Sequence, residues 1–146
     1  MKQHLIVRIG AKLLIPPIML IALYVQFHGD FGPGGGFQAG VIFAAALILY
    51  GLVFGSAELC RVAPPHIILK LMAAGWLIYI GAGFIGLGLG GGYLNYNVLS
   101  INPMTGQHLG IFLVELAVGI TVASAMLVIY QCFAAHQRVE PADDEG

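Results

Sequence analysis

The stretch from His28 to Leu52, HGDFGPGGGFQAGVIFAAALILYGL, sets Gly29, Gly32, Pro33, Gly34, Gly35 and Gly36 directly ahead of a long apolar run. A glycine run of this kind opposes helix and permits positive φ. It then hands over successive N–H groups at the start of a helix, where the dipole is positive. In an aqueous protein that arrangement holds phosphate. Here the Gly-Lys-Ser/Thr ending of a phosphate loop is missing, and no G-x-G-x-x-G is present. The run that follows is long enough to cross a bilayer, so the glycines mark a turn at a membrane surface.

The rest of the chain agrees. Of its 146 residues 59% are hydrophobic and 9% charged, against roughly 25% charged in a soluble domain. Too few charges are present to build an aqueous surface, and the net charge of −1 gives no footprint for nucleic acid. A hydrocarbon core about 30 Å thick takes roughly 20 helical residues. Four segments qualify, at about 5–27, 37–54, 66–89 and 108–133. The expected fold is an all-α integral membrane protein with four transmembrane helices in residues 1–136, followed by an acidic tail, 137–146. Pro16 and Pro17 fall inside the first span and are expected to kink it. Arg8 and Lys12 interrupt that span, and no small-residue cleavage site follows, so it does not read as a signal peptide.

Basic residues set the orientation. Lys2, Arg8 and Lys12 precede or open the first span, Arg61 lies in the 55–65 linker, Lys70 just inside the third span, and Arg138 beyond the fourth. The glycine loop and the 90–107 loop carry neither Lys nor Arg. Both termini are therefore expected in the cytoplasm. Cys60 and Cys132 then lie on the reducing side and read as apolar packing residues. No metal or cofactor motif and no nucleophile–base pair is visible, so the chain reads as no enzyme.

Small residues recur at four-residue spacing in Gly32, Gly36 and Gly40, and again in Gly51 and Gly55, the pattern that lets membrane helices approach closely. Phe37 would anchor and Gln38 hydrogen-bond at the interface beside this joint. Glu115 stands about seven residues, or 10 Å, inside the fourth span. An acid at membrane depth costs about 2.5–3.5 kcal/mol on insertion scales. Two readings stand for it: a proton- or cation-relay group, or a protonated acid that glues helices. Lys70 enters from the opposite side, so it is expected to snorkel to the interface; the other reading places it in a proton path. His4, Arg8 and Lys12 share one helix face, suited to anionic headgroups or to an acidic groove of another subunit. His28 and Asp30 would line an outer vestibule that concentrates cations. With His108 they make only a loose metal-ligand set, and no metal site is assigned.

The same stretch resembles the signature of the B subunit of the multisubunit Mrp-type cation/proton antiporters. In that family an apolar first helix ends in His-Gly, followed by a P-G-G-G-F loop and the second helix. Pro33, Gly34, Gly35, Gly36, Phe37 and Gln38 match, while Ala39 stands where glycine is common. The segment from Gly110 to Met126, GIFLVELAVGITVASAM, is similar to the family's acidic fourth helix, with Glu115 as its acid. The resemblance implies a small subunit in a prokaryotic cell membrane, partnered by larger antiporter-like subunits. It implies exchange of Na+ or another monovalent cation against H+, without a cofactor. A related subunit occurs in membrane-bound hydrogenases and other redox-driven complexes, which the motif does not separate. A homo-oligomeric channel and a pure scaffold are the remaining alternatives.

Overall fold

The computed structural model describes residues 2–29, 34–88, 90 and 103–139. Five helices follow in order: α1 Lys2–Phe27, α2 Gly36–Phe54, α3 Ser56–Val62, α4 Pro65–Gly88 and α5 Pro103–Val139. Four contain stretches long and apolar enough to cross a membrane: Leu5–Phe27, Gly36–Phe54, Pro65–Gly88 and Met104–His136. Their outward faces are apolar, with Ile6, Leu13, Leu52 and Leu77 all strongly exposed. Such surfaces suit lipid or neighbouring helices and would be untenable in water. The chain is a four-span α-helical membrane protein.

The spans form a row in the order α1, α2, α5, α4. Close contacts fix their relative directions. On α2 and α5, Gly36 meets Glu115, Gly40 meets Gly119 and Gly51 meets Tyr130, all in ascending order, so these helices run parallel. Gly75 of α4 meets Ala117 and Thr121 of α5, while Ile68 clusters with Leu127, so that pair is antiparallel. A methyl group on Gly40 would lie 2.6 Å from the Gly119 carbonyl oxygen. Only paired small residues allow two backbones this close. Away from this seam, two small clusters hold the row together. Ala11, Ile15 and Ala46 join α1 to α2, and Ala44, Ile68 and Leu127 join α2, α4 and α5.

Several expectations need adjustment. The 55–65 linker contains a helix, α3, with Leu59 fully buried and an exposed Arg61–Glu58 pair at 2.7 Å. Gln131 Nε2 donates to the Ala63 carbonyl at 2.9 Å, tying α5 to the end of that helix. Gly55 is not a packing residue. A side chain there would meet open space, but its φ of 103° is one that L-residues rarely adopt. It breaks the chain between α2 and α3. Gly51 does pack, beneath the Tyr130 hydroxyl and Leu59. Pro16 and Pro17 lie within α1, which is continuous helix on both sides of them, as a proline-kinked helix also is.

Helix α5 is 37 residues long, about 55 Å and well beyond a 30 Å core. Pro103 opens this helix ahead of the fourth span expected from about 108, and at that position a missing N–H costs nothing. The α4–α5 register, continued to Gly88, brings α4's end opposite about residue 107. Gly29 and Gly35, which flank the α1–α2 turn, lie at the level of Glu115, about 12 Å short of that point. The facing ends of α1 and α2 are thus sunk relative to the ends of their neighbours. Residues 140–146 of the acidic tail lie outside the described residues, as do Asp30, Gly32 and Pro33.

Candidate functional site

Helix α2 begins at Gly36 with Gly35 as N-cap, and no side chain of its own caps it. Its first N–H groups therefore look outward for acceptors. The group that stands there comes from α5. A methyl group on Gly29 would overlap Glu115 Oε2 and lie 2.7 Å from Oε1. One on Gly35 would lie 3.2 Å from Oε1, and one on Gly36 would overlap the Glu115 carbonyl oxygen. Three glycines, drawn from the end of α1 and the start of α2, thus form a cradle around one acid. Gly34 completes the turn with φ of 136°, its Cα face covered by Val25 and by the Gln38 side-chain oxygen.

This arrangement explains the glycines physically. The turn does offer a helix N-terminus to an anion, and the group it receives is a carboxylate of the same chain. A negative charge there faces the positive end of the α2 dipole. The glycines lack side chains because the acid and its backbone occupy that volume. Nearby, Phe27 of α1 stacks on Phe112 of α5 with ring centroids 5.9 Å apart, closing one side of the joint.

In the sequence the turn and the acid are separate features; the fold makes them one. Glu115 is half-buried and lies 12 residues after the start of α5, about 18 Å along it. His28 is exposed and stacks on Tyr24 at 4.2 Å, next in sequence to the Gly29 contact. Lys70 is exposed on α4, and the α4–α5 register separates it from Glu115 by about 14 Å along the helix axes. It does not belong to this site. Phe37 is 62% exposed and Gln38 is exposed as well. The glycines and α5 therefore make the joint, and Phe37 points away from it. At the α3 end, Arg8 and Lys12 lean over the Phe54 ring at 5.7 and 5.9 Å. Those cations cover an aromatic ring as well as facing outward.

One polar residue of this region was not singled out in the sequence. Gln26, in the last turn of α1, is only 6% exposed, and its Oε1 lies against Gly119. That places its amide one turn from Glu115. Its signal was a single amide inside an otherwise apolar turn, which composition averages away. Thr121, one turn beyond Ala117, donates its hydroxyl to the Ala117 carbonyl at 2.8 Å, and that hydroxyl occupies the space a side chain on Gly75 would need.

Residues 6–128 match the family described as a domain related to the MnhB subunit of a Na+/H+ antiporter. The chain belongs to this family. The match runs from α1 into α5 and takes in the whole cradle, Gln26 and the Gly40–Gly119 contact. Among relatives, the B subunit of the Na+/H+ antiporter of Alkalihalophilus pseudofirmus is 35% identical over 115 residues, covering 72% of this chain and 79% of its own length. The putative antiporter subunit mnhB2 of Staphylococcus aureus (strain Newman) is 32% identical over 133 residues, covering 88% and 94%. An MnhB-family chain is a membrane transporter subunit, and its partners are the other subunits of that assembly.

Proposed function

We propose that this chain is the B subunit of a multisubunit antiporter in a prokaryotic plasma membrane, exchanging a monovalent cation, Na+ by its relatives' names, for protons. Both termini face the cytoplasm, as the distribution of Lys and Arg argues. The larger antiporter-like subunits carry most of the transport. This chain adds one wall of an ion path at Glu115. The observation that carries the reading is the cradle: a single acid, sunk beside a non-helical turn and held by three glycines from two helices. Non-helical backbone at membrane depth is tolerated where it is buried in protein or lines a water-filled cavity. Intramembrane acids mark ion and proton pathways by default. A carboxylate at such a turn can exchange a proton for a cation without any covalent step.

Glu115→Gln tests this, because it keeps the shape and removes the charge. Everted vesicles containing the whole complex report Na+-dependent proton movement, and blue-native gels report assembly. Loss of exchange by tenfold or more with assembly intact supports the path. Unchanged exchange refutes it, and loss of the complex assigns Glu115 to holding helices together.

A further inference from the structure

At the end of α2 far from the cradle, α1, α2 and α3 line a cavity of about 600 Å³, within the range of roughly 300–1,000 Å³ common for pockets that take small ligands. Arg8, Lys12 and Ile15 face it from α1, Tyr50 and Phe54 from α2, and Glu58 from α3. The two cations stand at i and i+4 on one face of α1, a spacing at which like charges repel. Both lean over the same ring, the Arg8 guanidinium 5.7 Å and the Lys12 ammonium 5.9 Å from the Phe54 centroid. Among the described residues neither has a carboxylate partner, because the acid that lines the cavity, Glu58, pairs with Arg61 at 2.7 Å. The chain therefore supplies more positive than negative charge here.

Polarity changes along the cavity. Phe54 ends the second apolar span, so its ring stands where hydrocarbon gives way to headgroups. Arg8 and Glu58 lie at that end. Toward the cradle, Lys12 comes one turn further along α1, and Ile15 and Tyr50 then carry the wall into apolar packing with Ala11 and Ala46. An occupant that is anionic at one end and apolar at the other fits this gradient. A free phosphate ion would meet the cations and leave the apolar end unfilled. An acidic side chain on a neighbouring helix would have to carry its charge to membrane depth at a cost. Lipid phosphates already stand at this level, and a guanidinium matches phosphate oxygens with two parallel hydrogen bonds.

We propose that this cavity is a fixed binding site for an anionic phospholipid. Its phosphate bridges Arg8 and Lys12, and its glycerol and upper acyl chain lie against Phe54, Tyr50 and Ile15. Bound there, the lipid joins α1 to the corner where Gly55 separates α2 from α3. The site is distinct from the cradle and holds whether or not Glu115 lies on an ion path.

The test reconstitutes the assembled complex in bilayers with a trace of phosphatidylglycerol that carries a diazirine near the top of one acyl chain. Phosphatidylcholine with the same chain is the control. After irradiation and digestion, the phosphatidylglycerol probe is expected to label the segments around Ile15 and Tyr50 about fivefold or more above the control. Equal labelling by the two probes means ordinary surrounding lipid and overturns the proposal, as does no label at either segment. Label removed by excess inorganic phosphate assigns the cations to a free anion and overturns it too. Lys12→Gln should lower the label about fivefold, the worth of one basic residue near an anionic surface. Adding Arg8→Gln should bring it down to the control; if that double variant does not assemble, Lys12→Gln decides alone, and an unchanged label overturns the proposal. Glu58→Gln removes the acid from the same wall and should raise the label, a gain that a purely structural role for Arg8 and Lys12 would not produce. A label that does not rise overturns the charge argument.

Discussion

Gly36 and Gly55 bound the same helix, and they are glycines for opposite reasons. Gly36 has an ordinary helical backbone, but a methyl group there would overlap the Glu115 carbonyl. Gly55 has open space around it, but its φ of 103° suits only glycine. At the turn end the demand is steric and comes from a residue 79 positions away. At the α3 end the demand is conformational and local. The contrast teaches that glycine content alone says little about a membrane helix until the neighbour of each glycine is known.

Substitutions sharpen the comparison. Gly36→Ala drives a side chain into backbone that cannot rotate aside, so it should cost about 3 kcal/mol or more. The yield of assembled complex and its thermal midpoint would both fall, and larger side chains would be worse. A Gly36→Ala complex as stable as wild type would break the cradle. Gly40→Ala meets the Gly119 carbonyl at 2.6 Å, and a loss of about 2 kcal/mol is expected. Melting of the detergent-solubilised complex measures it, and Gly119→Ala should do similar damage from the other helix.

Gly55→Ala should cost about 1–2 kcal/mol through backbone strain alone. Serine at 55 should cost the same as alanine, since space is not limiting; a steep dependence on side-chain size would contradict this account. Gly10 sits inside α1 with nothing within 4 Å of a methyl group. Gly10→Ala should therefore stabilise by about 0.5–1 kcal/mol from helix propensity, the reverse sign. The smallest effect belongs to Arg61→Ala. Its pair with Glu58 is exposed, with Arg61 78% accessible, and its loss should change stability by no more than about 0.5 kcal/mol.

Much of the fold was legible because the bilayer imposes a length and a polarity on each span. The end of α2 at Phe54 and of α1 at Phe27 matched the expected boundaries to the residue. The α5 limits did not, because its first and last turns mix polar with apolar residues and helix persists beyond the hydrophobic signal. Helix α3 was missed for a related reason. Its seven residues are too short for periodicity to register, and it is held by the burial of Leu59, a tertiary contact.

The candidate site was half legible. Glu115 was conspicuous as an acid in an apolar span, and the glycine turn as a break in one. That they touch was not readable, since local sequence carries no term for contact across 79 residues. Gln26 shows the same limit: one amide in an apolar helix is unremarkable until its burial is known. Lys70 shows the converse, since depth arithmetic from the two membrane surfaces already kept it apart from Glu115.

By itself, then, the sequence determined that this chain crosses a membrane four times as helices, where the apolar runs break, and which acid falls inside one of them. Those follow from the cost of exposing polar backbone and charge to hydrocarbon, which each segment meets alone. Only the tertiary structure decided that α2 and α5 run parallel, in a register that seats Glu115 among Gly29, Gly35 and Gly36. That register is chosen by how closely two particular backbones can approach, a property of the pair and of neither helix separately.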